Sequence, residues 1–507
     1  MKRILILFLL TTTLARGQGY NHQWLLGNNP FVGFPNGRAY FDLNSSSFVS
    51  EFRKMSFKGT EANIGDASGN LLISSNGVWI ANANGDTMVN GNGLNPSLYT
   101  TNWPNGMPVG HINMLLPLPE DSLKYVLFHK TLWASFAPAL SGFYKTMIDL
   151  SLDNGLGAVV TKNDTLLSDS LSWGIGACKH ANGQDWWVVV MKDNNPLLYT
   201  FLLTPTGIDT MFIQPTGFFA NRWGNVSSLV FTPEGHKLIY CTSIDQGPGG
   251  SAPNGTVLLF DFDRCSGIIS NMISTEVSQS NYLWGLAFSA SGKYAYACSS
   301  TNIFQIDIDN LNVDTVATYD GFISPVGFTC CATTFFNMYL AANGKIYVTS
   351  GSSVQHIHEI NYPDSAGLAC DVQQHAIDLV DYLHLRAVPN HPNYYLGCDT
   401  TSGCPCLTTG LGEINNHDFK FSVAPNPNDG NFNIIYLLPH PSAGSETGKG
   451  KLEIYDVNGR RVYEMNLPQW STMQEINLPE FVTSGLYNCV ITSGGLRVGR
   501  KIAVIKD

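Results

Sequence analysis

Along most of the chain, apolar residues come in short runs separated by clusters of Gly, Asn, Ser and Asp, with no stretch repeating at the helical period. The recurring unit is a polar turn leading into a β-rich strand. Asn343-Gly344-Lys345 leads into Ile346-Tyr347-Val348, Ser291-Gly292-Lys293 into Tyr294-Ala295-Tyr296, and Glu234-Gly235-His236-Lys237 into Leu238-Ile239-Tyr240. Looser copies are Ser68-Gly69-Asn70 before Leu71-Leu72-Ile73, Glu120-Asp121 before Tyr125, and Asn182-Gly183 before Trp186; a further one is Asn390-His391-Pro392-Asn393 before Tyr394-Tyr395-Leu396. With markers at 69, 121, 183, 235, 292, 344 and 392, the successive steps are 52, 62, 52, 57, 52 and 48 residues.

A period near 50 with a hairpin in each unit predicts an all-β fold, a β-propeller of four-stranded blades. One twisted sheet with two apolar faces is stable only between neighbours, and closing the ring protects its edges. The spacing predicts seven blades over residues 18–399, with six and eight as alternatives. Ser228 to Thr232 and Trp284 to Ser289, each just before a turn, are the expected innermost strands. Tracts 82–95 and 247–255, rich in Gly and Asn, read as loops.

The repeat stops near Gly397, and the small polar residues of 400–418 suit a linker. Residues 419–507 then alternate short strands with Asn-Gly and Gly-Gly turns, which predicts a small C-terminal β-sandwich. Four separated motifs in it carry a resemblance. They are Val423-Ala424-Pro425-Asn426-Pro427 with Gly430, Ile454-Tyr455-Asp456-Val457-Asn458-Gly459-Arg460, Ser484-Gly485-Leu486-Tyr487, and the basic Lys501 before the last strand. Together they resemble the type A C-terminal sorting domain of the type IX (Por) secretion system of Bacteroidetes. The resemblance implies export across the outer membrane, with the secretion machinery there as partner and the product released or attached at the surface. The N-terminal part also resembles uncharacterised propeller-like proteins found with such sorting domains, on Asp66-Ala67-Ser68-Gly69-Asn70, Asp185-Trp186-Trp187-Val188 and Pro389-Asn390-His391-Pro392-Asn393-Tyr394. That likeness implies fold and location, and no chemistry.

The chain's first residues agree with export. Lys2 and Arg3 precede the apolar run Ile4 to Leu10, and Ala15-Arg16-Gly17 supplies small residues for cleavage, so residues 1–17 read as a signal peptide and Gln18 as the mature N-terminus. An apolar run of that length falls far short of the roughly 20 residues a membrane span needs. Charged residues are only 13% of the chain and the net charge is −11, with no long basic run, which excludes a nucleic-acid or anionic-lipid footprint.

Eleven cysteines leave at least one unpaired. Of the cluster Cys398, Cys404 and Cys406, the Cys-Pro-Cys pair is too close to bridge itself, so Cys398 is expected to pair with Cys404 or Cys406. A zinc knot there lacks a nearby fourth ligand. Cys241 and Cys298, inside apolar strands, read as core residues.

Signatures of chemistry are sparse. No nucleophile elbow, Walker loop, His-Glu-x-x-His or EF-hand loop occurs, so no cofactor is expected. The Asp-box of sialidase-like propellers is also missing. His356-Ile357-His358 places two imidazoles on one strand face, yet no third ligand accompanies them, and no metal is expected. Glu120, Asp185 and Asp245 are the acids that separated loops would have to bring together for hydrolysis. Trp173, Trp223 and Trp284, each followed by Gly, recur before the expected inner strands, and His111 holds a comparable place. They are the expected ligand contacts at one mouth of the channel, packing between blades being the competing role. The expectation is an exported, non-catalytic module that binds a glycan or protein ligand, against an alternative of a polysaccharide hydrolase or lyase.

Overall fold

A computed structural model describes residues 19–28, 37–41, 46–131, 141–193, 195–217, 228–244, 254–278, 282–325, 331–406, 420–437, 450–457, 459–467, 473–493 and 496–506. The expected signal peptide and most of the expected linker, 407–418, lie outside these residues, as do Trp223 and Asp245. The chain divides into two compact units at 406/407. Both are all-β, with one short α-helix, Leu98–Asn102, among the described residues.

In the first unit the chain runs through antiparallel meanders in sequence order. A three-stranded sheet over 23–50 comes first. Meanders over 62–92 and 113–169 share an eight-stranded sheet, joined where Val89 pairs with Ala158 in parallel. Four-stranded sheets follow over 176–215, 229–278, 285–318 and 335–378.

The turn between first and second strands is built the same way six times. At positions 69, 121, 183, 235, 292 and 344 the backbone N–H donates to the carbonyl three residues earlier, at 2.8–3.2 Å. Five of these residues are glycines with φ between 74° and 85°, where a Cβ is strained. At Gly235 a Cβ would also lie 2.4 Å from Cys178 Sγ.

The seventh marker differs. Pro392 has no N–H to close the turn, and residues 390–396 form no strand. The remaining sheet is the N-terminal one, 23–50, which the turn pattern had not revealed.

Second strands such as Trp186–Met191, Tyr294–Cys298 and Ile346–Ser350 are buried throughout, whereas the fourth strands Thr87–Asn92 and Val313–Thr318 are largely exposed, each with one or two buried positions. Burial on both faces follows from packing between neighbouring sheets. Val189 and Met191 pack on Leu238 and Tyr240, Ile239 and Cys241 on Phe288 and Ala295, and Tyr296 and Cys298 on Phe335 and Val348. Tyr339 and Tyr347 pack on Trp24 and Phe41 of the N-terminal sheet, whose Leu25 meets Leu71 and Ala81. Those last two contacts place the 23–50 sheet against both the 335–378 sheet and the 62–92 meander.

The second unit is two antiparallel sheets. Strands Lys420–Ala424, Asn431–Leu437 and Met473–Asn477 form one; Gly450–Tyr455, Arg461–Leu467, Gly485–Ser493 and Leu496–Val504 form the other. Phe432, Ile434 and Ile476 of the first meet Ile454, Cys489 and Ile502 of the second in one core, a sandwich arrangement.

Candidate functional site

After its last strand, Val372–Asp378, the first unit sends residues 386–398 along the leading strands of several sheets. Arg386 N–H donates to the Ser350 carbonyl (3.1 Å), and its guanidinium lies 4.8 Å from the Phe336 ring. Asn390 Nδ2 then donates to the Ile175 and Asn113 carbonyls at 3.0 and 3.2 Å. His391 Nε2 faces the Asn63 carbonyl at 2.9 Å and its Nδ1 faces Tyr339 Oη at 2.9 Å. Asn393 Nδ2 donates to the Pro233 carbonyl at 2.7 Å and Tyr394 Oη to the Leu115 carbonyl at 2.8 Å. One extended segment thereby satisfies groups on five different sheets or meanders.

The far end of the segment is fastened. Arg264 Nη2 donates to the Gly397 carbonyl at 2.6 Å. Cys398 is bridged to Cys406, and Cys404 to Cys265 on the turn before the strand Ile269–Ser278. Residues 399–406 are therefore tied into the first unit. Cys241 and Cys298, read from the sequence as core residues, are buried and stand outside these two bridges.

Beside the segment lies a cavity of about 250 Å³. Met114, Leu229, Phe231, Leu286, Phe288 and Met338 wall it, together with Asn390, His391 and Asn393 of the segment. Its exposed lining residues, Ala290 and Asn393, lie at the end where leading strands turn into second strands. Leu229–Phe231 and Gly285–Phe288, the expected inner strands, both line it. The described lining contains no Asp or Glu.

Of the expected ligand residues that are described, His111 lines this cavity. It is buried, with φ at 57° and a Nε2 that has no hydrogen-bond partner among the described residues. Burial pushes its imidazole down to about 4, against the influence of Asn390 and Asn337. Trp173 and Trp284 precede their leading strands and line the cavity nowhere. Trp173 packs with Met107, Val109 and Ile112. Trp284 stacks on Phe336, centroids 4.7 Å apart and planes 23° apart.

Of the three weighed acids, the two that are described lie in different turns. Glu120 is exposed in one turn and Asp185 is buried in another, its Oδ2 accepting from Asn182 Nδ2 at 2.7 Å. His356 and His358 are buried in their strand, and the described residues hold no group of three or more His, Cys, Asp or Glu placed to bind a metal. Sequence reasoning missed Glu61. It is fully buried, accepts a 2.6 Å hydrogen bond from Asn63 Nδ2, and is pushed up to about 8 by desolvation. It was hidden because a lone Glu beside a strand carries no pattern.

In the second unit the motif residues are structural devices. Asn426 Nδ2 donates to the Lys501 carbonyl (3.1 Å) and its Oδ1 accepts from Ala503 N–H (2.8 Å). Gly430 sits at φ 105°, where a Cβ would lie 2.8 Å from Lys506 Cε. Asp456 Oδ1 accepts from Arg460 N–H, with Gly459 at φ 77° closing the turn. Tyr487 Oη donates to the Thr483 carbonyl at 2.8 Å, and Gly485 opens the strand Gly485–Ser493. Pro425 and Pro427 flank Asn426.

Solved structures similar to this chain are remote. A functionally unknown protein from Desulfotomaculum acetoxidans is 10% identical, covering 73% of this chain and 99% of its own at a TM-score of 0.37. Kuenenia stuttgartiensis hydrazine synthase is 10% identical, covering 73% and 100% at 0.32. Kluyveromyces lactis Hsv2 is 11% identical, covering 73% and 96% at 0.26. No curated protein matches the chain. Among the described residues no helix is long and apolar enough to cross a membrane. Residues 422–506 match the secretion system C-terminal sorting domain. The chain therefore carries a type IX sorting domain and is exported by that machinery to the outer cell surface.

Proposed function

We propose that the first unit is a seven-bladed β-propeller displayed at the cell surface as a non-catalytic module that binds a protein or glycan ligand. The cyclic order of packing supports the ring, with 23–50 as a three-stranded blade between the 335–378 and 62–92 sheets. The observation that carries the binding reading is the cavity beside the 386–398 segment. It is concave and mainly apolar with a few polar groups, the usual make-up of a ligand site. Its described lining offers neither an acid–base pair nor an activated nucleophile. Export through the sorting domain puts such a site in contact with extracellular ligands.

A glycan and peptide array probed with the mature chain from Gln18 tests this reading. Retention of a ligand without turnover is the expected result. Turnover on a polysaccharide panel would replace it with a hydrolase or lyase. Deleting 419–507 is expected to strand a folded first unit in the periplasm, because each unit has its own core. Normal surface delivery of the truncated chain would contradict the sorting role.

A further inference from the structure

We infer that the cavity beside the 386–398 segment binds an uncharged apolar group the size of one or two fused rings, entering past Ala290 and Asn393. This rests on the binding reading above and narrows it. The volume, about 250 Å³, exceeds the roughly 150 Å³ of an apolar cavity that takes up benzene. Leu229, Phe231, Leu286 and Phe288 give it walls without hydrogen-bonding side chains.

The polar side chains that the 386–398 segment gives to the lining hold hydrogen bonds elsewhere. Asn390 Nδ2 is committed to strand carbonyls, and Asn393 bonds through Nδ2 to Pro233 and through Oδ1 to Tyr395 N–H. Both nitrogens of His391 are taken. His111 Nε2 lacks a partner but is itself shielded. A sugar ring would thus bury several hydroxyls against groups already spoken for, and a charged ligand would meet no counter-charge on the described lining. An apolar ring loses nothing of that kind and gains burial.

Indole titrated into the full mature chain, followed by calorimetry and ligand-observed NMR, is the test. Saturable one-site binding is expected, with Ala290→Trp weakening it at least tenfold while the thermal midpoint stays unchanged; Asn393→Trp, at the same rim, is the second blocking variant. Comparing indole with Gly-Trp-Gly separates a free small molecule from a side chain carried on a peptide, and binding of either supports the inference. Equal indole binding to both rim variants and the parent would place the site elsewhere and overturn it. Binding of glucose or N-acetylglucosamine, blocked by the same variants, would overturn the apolar class while leaving the binding module intact. No binding of indole or the tripeptide alongside a positive array would exclude this cavity but not the wider reading; a blank array as well would remove both.

Discussion

Replacing Glu61 by Gln should stabilise the protein at neutral pH and remove part of its pH dependence. Glu61 is completely buried with Asn63 as its hydrogen-bonding neighbour, and it holds its proton up to about pH 8, against 4.5 for the free group. The unfolded chain releases that proton near 4.5, so between 4.5 and 8 the folded state binds more protons than the unfolded one. Stability therefore falls as pH rises through this window, by about 1.4 kcal/mol per pH unit from this group. The cumulative loss is about 3 kcal/mol at pH 7 and approaches about 5 kcal/mol above pH 8. Gln keeps an acceptor for Asn63 Nδ2 and cannot ionise. Guanidinium unfolding of the parent and Glu61→Gln chains from pH 5 to 9 should give curves that nearly coincide at pH 5 and separate by about 3 kcal/mol at pH 7. Buried Lys130, pushed down to about 7 by desolvation, adds a slope of opposite sign above neutrality, but it is common to both chains and cancels in the difference. Parallel profiles would refute the assignment of a neutral Glu61.

The other expectations concern the fastened segment and the sorting domain. Cys404→Ser opens a bridge spanning 139 residues, and chain entropy sets the loss at up to about 5 kcal/mol, read as a lower thermal midpoint under non-reducing conditions; an unchanged midpoint would mean the bridge constrains nothing. Asn390→Ala removes the donor shared by the Ile175 and Asn113 carbonyls, and should cost about 1–3 kcal/mol in denaturant unfolding. Asn426→Ala should destabilise the second unit by only about 1 kcal/mol, because the site is exposed; surface display measured by whole-cell protease accessibility should fall with it only if the fold of this unit is what the machinery reads.

The chain's local pattern was enough for the all-β class, for the six turns marked by 69, 121, 183, 235, 292 and 344, and for the sorting domain. Those features are written in consecutive residues: a left-handed position favours Gly, a strand between sheets is apolar throughout, and the sorting motifs at Asp456–Arg460 and Thr483–Tyr487 are held by bonds within themselves. The error at 392 was also local, since a proline cannot donate the hydrogen bond that the other six turns share. What tertiary structure alone decided are relations between distant segments. The 23–50 sheet follows no Gly-turn spacing and is recognised only by what packs on Trp24 and Leu25. Residues 390–396 read as a turn and a strand, yet their hydrogen bonds go to Asn63, Asn113, Ile175 and Pro233, partners 160 to 328 residues away. The stacking of Trp284 on Phe336, 52 residues away, is likewise set by which strands become neighbours. Cys265 gave no sign of pairing with Cys404, and Glu61 none of its buried proton. Burial and pairing of this kind depend on which strands become neighbours, a property of the assembled sheets and not of any short stretch of chain.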